Sequence, residues 1–110
     1  MAEPTLQQIF GTGATQTAAV LTISKTDLAA KGLTASNANS SESLLVALIL
    51  LAKDRLTNEN QVTNPEQSIT ISDGFISLVN RNNQVYRQTT LTINLQKADA
   101  VASAIDPNDY

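Results

Sequence analysis

The stretch ESLLVALILLAKDRL, residues 42–56, sets nine apolar side chains in succession, Leu44 to Ala52, inside a chain otherwise crowded with Thr, Asn, Gln and Ser. Such a run reads as a helix. On a wheel of 100° per residue Leu44, Leu48, Leu51 and Ala52 share one stripe that Leu45 and Ile49 continue, while Val46 and Leu50 fall on the far side. A sheet covers only about half of a helix, and each large aliphatic left in water forgoes about 1.5–3 kcal/mol. The sequence therefore predicts that copies associate through this helix. The competing expectation is that residues 14–33 and the N-terminal turn wrap the far side within one copy. The run is less than half of the ~20 residues that cross a bilayer and leads into Lys53, Asp54 and Arg55, so no membrane partner is expected.

Around this helix the boundaries follow from capping and turn chemistry. Asn39 with Glu42 three residues on fits a capping box, Ser40 and Ser41 being neighbouring candidates, and the helix is expected over 40–57, followed by the polar loop NENQVTNPEQ. TLQQIF (5–10) lies between Pro4 and Gly11, which predicts a short helical docking segment with Leu6, Ile9 and Phe10 on one side. Residues 14–24 read as a strand. Thr26 is the expected N-cap of a short helix ending at Gly32, with Asp27 favoured in its first turn, and TASNANSSE (34–42) reads as a flexible loop. SITIS alternates, Asp73-Gly74 marks a turn or bulge, and GFISLVN continues, Phe75, Ser77 and Val79 opposing Ile76 and Leu78. RNNQ (81–84) supplies two asparagines that tolerate positive φ, and the next strand alternates Leu91, Ile93 and Leu95 against Thr90, Thr92 and Asn94. The expected fold is α+β: one principal helix packed on a small antiparallel sheet of strands 15–24, 67–72, 75–80 and 85–96. It divides into an N-terminal docking segment (1–13), a single domain (14–97) and an extended acidic C-terminal tail (98–110).

The chemistry available to this chain is narrow. It has neither His nor Cys, which removes the commonest general acid–base group, thiolate nucleophiles and thiolate metal sites. Its Ser and Thr hydroxyls lack an evident base, and GTG (11–13) lacks the Lys-Ser/Thr ending of a phosphate loop. Asp106 and Asp109 supply too few oxygens for a hard cation. No catalytic residue, cofactor or metal is expected, and the chain reads as non-enzymatic. A net charge of −3, with Lys and Arg scattered singly, gives no footprint for nucleic acid. The start MAEPTLQQIFG is acidic and does not look like a secretory signal, so synthesis in the cytoplasm is expected. Aromatic content is 4% with no Trp, which leaves the core short of large anchors. The residues expected at interfaces are Leu6, Ile9 and Phe10 of the docking segment, Val46 and Leu50 of the helix, and Ile105 and Tyr110 of the tail. Arg81 and Arg87 flank the hairpin turn and could grip a partner's carboxylate, with Tyr86 as an anchor beside them.

Three segments, MAEPTLQQIFG, SLLVALIL and IDPNDY, together resemble a group of small proteins of cyanobacteria and their tailed phages, over the whole length of the chain. The resemblance implies a structural component of the virion, made in the bacterial host cytoplasm. It would serve as a capsid cement protein that binds the major capsid protein and neighbouring copies, or as a neck or tail component. It transfers no functional residue. The competing function class is a soluble protein-binding module of a cyanobacterium.

Overall fold

A helix begins where a side chain can satisfy the first free amides, and each helix here begins that way. In the computed structural model, which describes residues 4–97 and 105–110, α1 (Leu6–Phe10) opens with a capping box. Gln8 N–H donates to the Thr5 hydroxyl at 3.2 Å and Thr5 N–H to Gln8 Oε1 at 2.9 Å. Gly11, at φ 100°, closes it as expected. The next helix, α2 (Lys25–Ala29), is capped by Ser24 rather than Thr26. The long helix α3 (Ser41–Arg55) is capped by Ser40, whose hydroxyl accepts from Ser43 N–H at 3.1 Å. Asn39, the expected cap, instead braces the preceding turn: it accepts from Ser36 N–H and donates to the Thr34 carbonyl, both at 2.9 Å. The loop expected after α3 holds a further helix, α4 (Asn58–Thr63). Thr57 accepts from Asn60 N–H at 3.0 Å to start it, and the breakers Asn64 and Pro65 come only at its end.

The chain is α+β, with two separate antiparallel sheets among the described residues. The expected strand 15–24 is instead a miniature hairpin, β1 (Thr15–Gln16) against β2 (Leu21–Thr22), paired only to itself. The Thr17 hydroxyl makes it turn by accepting from Ala19 and Val20 N–H at 3.2 and 3.1 Å. The two strands expected at 67–72 and 75–80 are one, β3 (Ile69–Arg81), which pairs with β4 (Gln84–Leu95) across the expected two-asparagine turn, Asn82 and Asn83 at φ 52° and 60°. Positive φ at both central residues matches the right-handed twist of the strands they join.

The Asp73-Gly74 signal is a β-bulge. Asp73 pairs with Leu91 and Ile76 with Thr89, so Gly74 and Phe75 together oppose Thr90. One extra residue reverses the alternation of β3 beyond that point. Ile69 and Ile71 before the bulge therefore share a face with Ile76 and Leu78 after it, and across the ladder with Val85, Leu91, Ile93 and Leu95. Without the bulge Ile76 and Leu78 would fall on the face opposite Ile69 and Ile71. Gly74 permits the close approach this needs, since a Cβ there would stand 2.8 Å from the Thr90 carbonyl oxygen.

The core is small: Ala14, Leu28, Ala47, Leu56 and Ile71 are the buried apolar residues among those described. Helices α1 and α2 both lie against α3, which meets only the root of β3. The principal helix is thus packed mainly on other helices. GTG, expected to be a flexible bend rather than a phosphate loop, is pinned, because Asp27 of α2 accepts from Gly13 N–H at 2.9 Å and from the Thr12 hydroxyl at 3.2 Å.

The root of the ribbon is held by polar bonds. Gln67, 2% exposed, donates from Nε2 to the Thr57 and Ile69 carbonyls at 3.0 and 2.9 Å and accepts from Asn60 Nδ2 at 2.7 Å. Gln61 Nε2 donates to the Gln67 carbonyl at 2.9 Å and to Gln96 Oε1 at 3.0 Å. Ile71 N–H donates to the Leu56 carbonyl at 2.8 Å, and Lys53 pairs with Asp73 at 2.8 Å just short of the bulge. The expected tail falls partly on residues 98–104, outside the described residues. Its end forms a 3-10 turn at Pro107–Asp109 in which Asp109 pairs with Lys97.

The accessible surface is 8130 Å², against roughly 5,900 Å² for a folded monomer of this mass. The radius of gyration is 16.3 Å, against about 13 Å for a compact domain of this length. Truncating Gln67 would leave the Ile69 carbonyl and the Asn60 side-chain amide without partners, at about 1–3 kcal/mol for each group left bare, and would take from the Thr57 carbonyl one of its two donors. Gln67→Ala is accordingly expected to lower the unfolding free energy by about 3 kcal/mol in a urea titration followed by far-UV circular dichroism.

Candidate interaction surface

Two antiparallel strands of this length have no interior of their own, and a two-stranded ribbon in water is marginal without something to pack on. The first three residues of β3 are half-buried or buried against α3 and α4, while from Asp73 outward the strand is almost wholly exposed. The aligned aliphatic face therefore leaves the body while still apolar. Phe75 in the bulge is 86% exposed and Leu78 71%. Ile76 and Val85 are also more than half exposed, and Ile93 and Leu95 only slightly less so. On the order of 400–600 Å² of apolar side chain stands in water along this arm, the upper range of the largest apolar patch on a soluble monomer.

The other face of the arm sets Phe75 and Val79 among Ser, Thr, Gln and Asn side chains. Arg81 lies over the ring of Tyr86, 4.4 Å from its centroid, a cation–π pair that holds two long side chains flat on the tip. Arg87 stands on the apolar face opposite Leu78 and is exposed.

At the ribbon root an open groove of about 360 Å³ runs between α1 and the start of β3, with Leu6, Ile9, Phe10, Leu56, Ile69 and Tyr110 among its lining. Of the expected interface residues it brings together Leu6, Ile9, Phe10 and Tyr110, all half-buried. Leu6, Ile9 and Phe10 belong to α1, which lies against α3 of its own copy, so the described part of the docking segment is docked internally. Ile105 is exposed beside it in the chain.

No known family, curated protein or solved structure matches the chain. Its surfaces have to be read from their own geometry.

Val46 and Leu50 line a second depression with Lys31, Gly32 and Leu33. Val46 is 55% exposed and Leu50 half-buried. The residues that wrap the far side of α3, α1 and α2, thus cover it only in part, and Leu45 and Val46 remain open to water. The larger apolar surplus lies elsewhere than expected, on Phe75, Ile76, Leu78 and Val85. Alternation alone puts Ile76 and Leu78 on one face of the strand and Phe75 on the other. Their exposure follows from the absence, among the described residues, of any further β-rich segment long enough to cover either face.

All four aromatic residues of the chain sit on these two surfaces: Phe75 and Tyr86 on the arm, Phe10 and Tyr110 in the groove. None is in the core, although aromatic side chains are the largest source of burial a small domain can use. Among the described residues no three Asp or Glu side chains converge as a metal site would require, and the Asp106 carboxylate is engaged with the backbone and side-chain amides of Asn108 at 3.0 and 2.9 Å. Because Phe75 and Leu78 touch little of their own copy, Phe75→Ser with Leu78→Ser is expected to change the unfolding free energy by less than about 0.5 kcal/mol. The same pair of changes is expected to lower the fluorescence of bound anilinonaphthalene sulfonate severalfold.

Proposed function

We propose that the protein is a non-enzymatic structural subunit of a larger particle, held there by the apolar face of its β3–β4 arm. The observation that carries this reading is the arm itself: five large apolar side chains, Ile76, Leu78, Val85, Ile93 and Leu95, aligned on one face by a bulge and left in water, with Phe75 exposed at the bulge on the other face. An arm of this kind is stable only when a partner covers it.

The resemblance to small proteins of cyanobacteria and their tailed phages narrows the particle to a virion. Within it the reading is a capsid cement protein that binds the major capsid protein and neighbouring copies, with a neck or tail component as the nearest alternative. A soluble binding module of a cyanobacterium is the second reading. It is favoured by the groove beside α1, whose size falls within the range of small-ligand pockets. Metabolic genes beside the coding sequence would favour the module, and capsid, portal or tail genes the virion.

Recombinant protein is expected to co-sediment with purified capsids of the phage group it resembles, and Phe75→Ser with Leu78→Ser to weaken that binding at least tenfold, as loss of about 1–2 kcal/mol per anchor gives. A wild-type chain that stays monomeric at high concentration and is not recruited to capsids would overturn the reading.

A further inference from the structure

The alternation of ladder bonds fixes which backbone groups of the arm are open. At the root Gln96 N–H donates to the Ser68 carbonyl at 2.8 Å, and at the tip Arg81 and Gln84 flank the two-residue turn. Bonded and non-bonded positions alternate in an antiparallel pair, and the bulge adds its residue to β3, so the even-numbered residues of β4 spend their backbone groups on β3. Val85, Arg87, Thr89, Leu91, Ile93 and Leu95 turn theirs outward. Among the described residues no other group bonds to them there.

The two edges of the ribbon differ. Along β3 the outward groups are met by the same copy or interrupted: the Ile69 carbonyl accepts from Gln67, Ile71 N–H donates to the Leu56 carbonyl, Asp73 pairs with Lys53, and the bulge follows. Bulges and charges are the devices that keep an edge from pairing. β4 contains no bulge, Pro or Gly and one charged side chain, Arg87, and Val85, Tyr86, Thr89, Thr90, Thr92 and Ile93 are β-branched or aromatic. Helices α3 and α4 meet the ribbon through β3, so the body stands at the other edge.

The strand that fits the β4 edge is a second β4, antiparallel about a two-fold axis at Thr90. In that register Val85 pairs with Leu95, Arg87 with Ile93 and Thr89 with Leu91 of the other copy, and about twelve hydrogen bonds form, two at each bonded pair. A shift of two residues leaves Val85 or Leu95 of each copy with no strand residue opposite. On the mixed face Tyr86 meets Asn94, Gln88 meets Thr92 and Thr90 meets its own symmetry mate, all uncharged pairs. The two Arg87 side chains lie six residues apart along the seam, about 20 Å. The two bodies fall on opposite edges at opposite ends.

We infer that two copies join β4 to β4 in one four-stranded antiparallel sheet, ordered β3-β4-β4-β3. Three or more strands give a sheet the stability that a two-stranded ribbon lacks. The body and the bulge interrupt both outer edges, so the sheet ends at four strands, and the contact is isologous. The two-fold axis runs normal to the sheet and turns the aliphatic faces of both arms to the same side. The inference rests on the structural reading above and supplies its copy-to-copy contact, leaving the aliphatic faces for the particle.

The test uses the full-length chain and changes only exposed residues of the mixed face. Gln88→Lys with Thr92→Lys sets like charges directly opposite one another on both sides of the axis, and Gln88→Glu with Thr92→Glu does so with the other sign. In sedimentation velocity at submillimolar concentration the wild type is expected to run as a dimer, each charged variant as a monomer, and their equimolar mixture as a dimer. The chain has no cysteine, so single thiols give a second measurement. At the axis Thr90→Cys brings two thiols within disulfide reach, whereas Gln88→Cys faces Thr92. Under mild oxidation the first is expected to cross-link to dimer and the second to remain single. The inference is overturned if the wild type is monomeric, if the charged variants associate as the wild type does, if their mixture stays monomeric, or if Gln88→Cys cross-links as fast as Thr90→Cys. Capsid co-sedimentation on the same preparations separates the two levels. A monomeric wild type that still binds capsids removes the β4 contact alone, whereas one that does neither removes the structural reading as well.

Discussion

The Gln67 carboxamide joins the start of α4, through the Thr57 carbonyl at its cap and the Asn60 side-chain amide in its first turn, to the Ile69 carbonyl where β3 begins. A carboxamide can do this because it both donates and accepts, and burial at 2% exposure makes each bond hard to exchange for water. With it in place Ile71 N–H reaches the Leu56 carbonyl and the ribbon leaves the helices at a set position. A small core of mostly short side chains would not hold the ribbon there without these bonds.

Beyond the root the bulge decides what the ribbon presents. Strand residues keep a strict period of two, so a single inserted residue decides whether Ile76 and Leu78 lie with Ile71 and Ile93 or against them. They lie together, and the result is one largely aliphatic face and one mixed face on which Phe75 and Val79 stand among Thr, Gln and a stacked Arg81–Tyr86 pair. Among the described residues nothing of the same copy covers the outer half of the aliphatic face. That exposure is the physical ground for reading the molecule as part of something larger.

Features governed by neighbouring residues were legible from the sequence. The two-asparagine turn, the capped first helix ending at Gly11 and the alternation of Leu91, Ile93 and Leu95 all answer local demands of φ, capping and pleat. Features governed by distant partners were not. Helix α4 is built from weak helix formers, and one of its bonds, from Gln61 to Gln96, spans 35 residues. Residues 14–24 have the composition of a strand, but composition does not name a strand's partner, and Thr17 folds the segment on itself. Asp73-Gly74 read equally as turn or bulge because only the register with β4 separates them. For the same reason the helix was expected to carry the surplus apolar surface. The nine-residue run is conspicuous, whereas Phe75 and Leu78 look like ordinary strand residues until the sheet proves to have two strands among the described residues.

Attachment at one end only makes the ribbon a lever. Ten residues beyond the root span about 33 Å, so a rotation of about 10° at Gln67 sweeps the tip through roughly 6 Å. A change that small alters a few hydrogen-bond angles and disturbs no packed side chain past the bulge. Copies built this way can reach neighbours spaced unequally around a curved lattice while each body keeps a single shape.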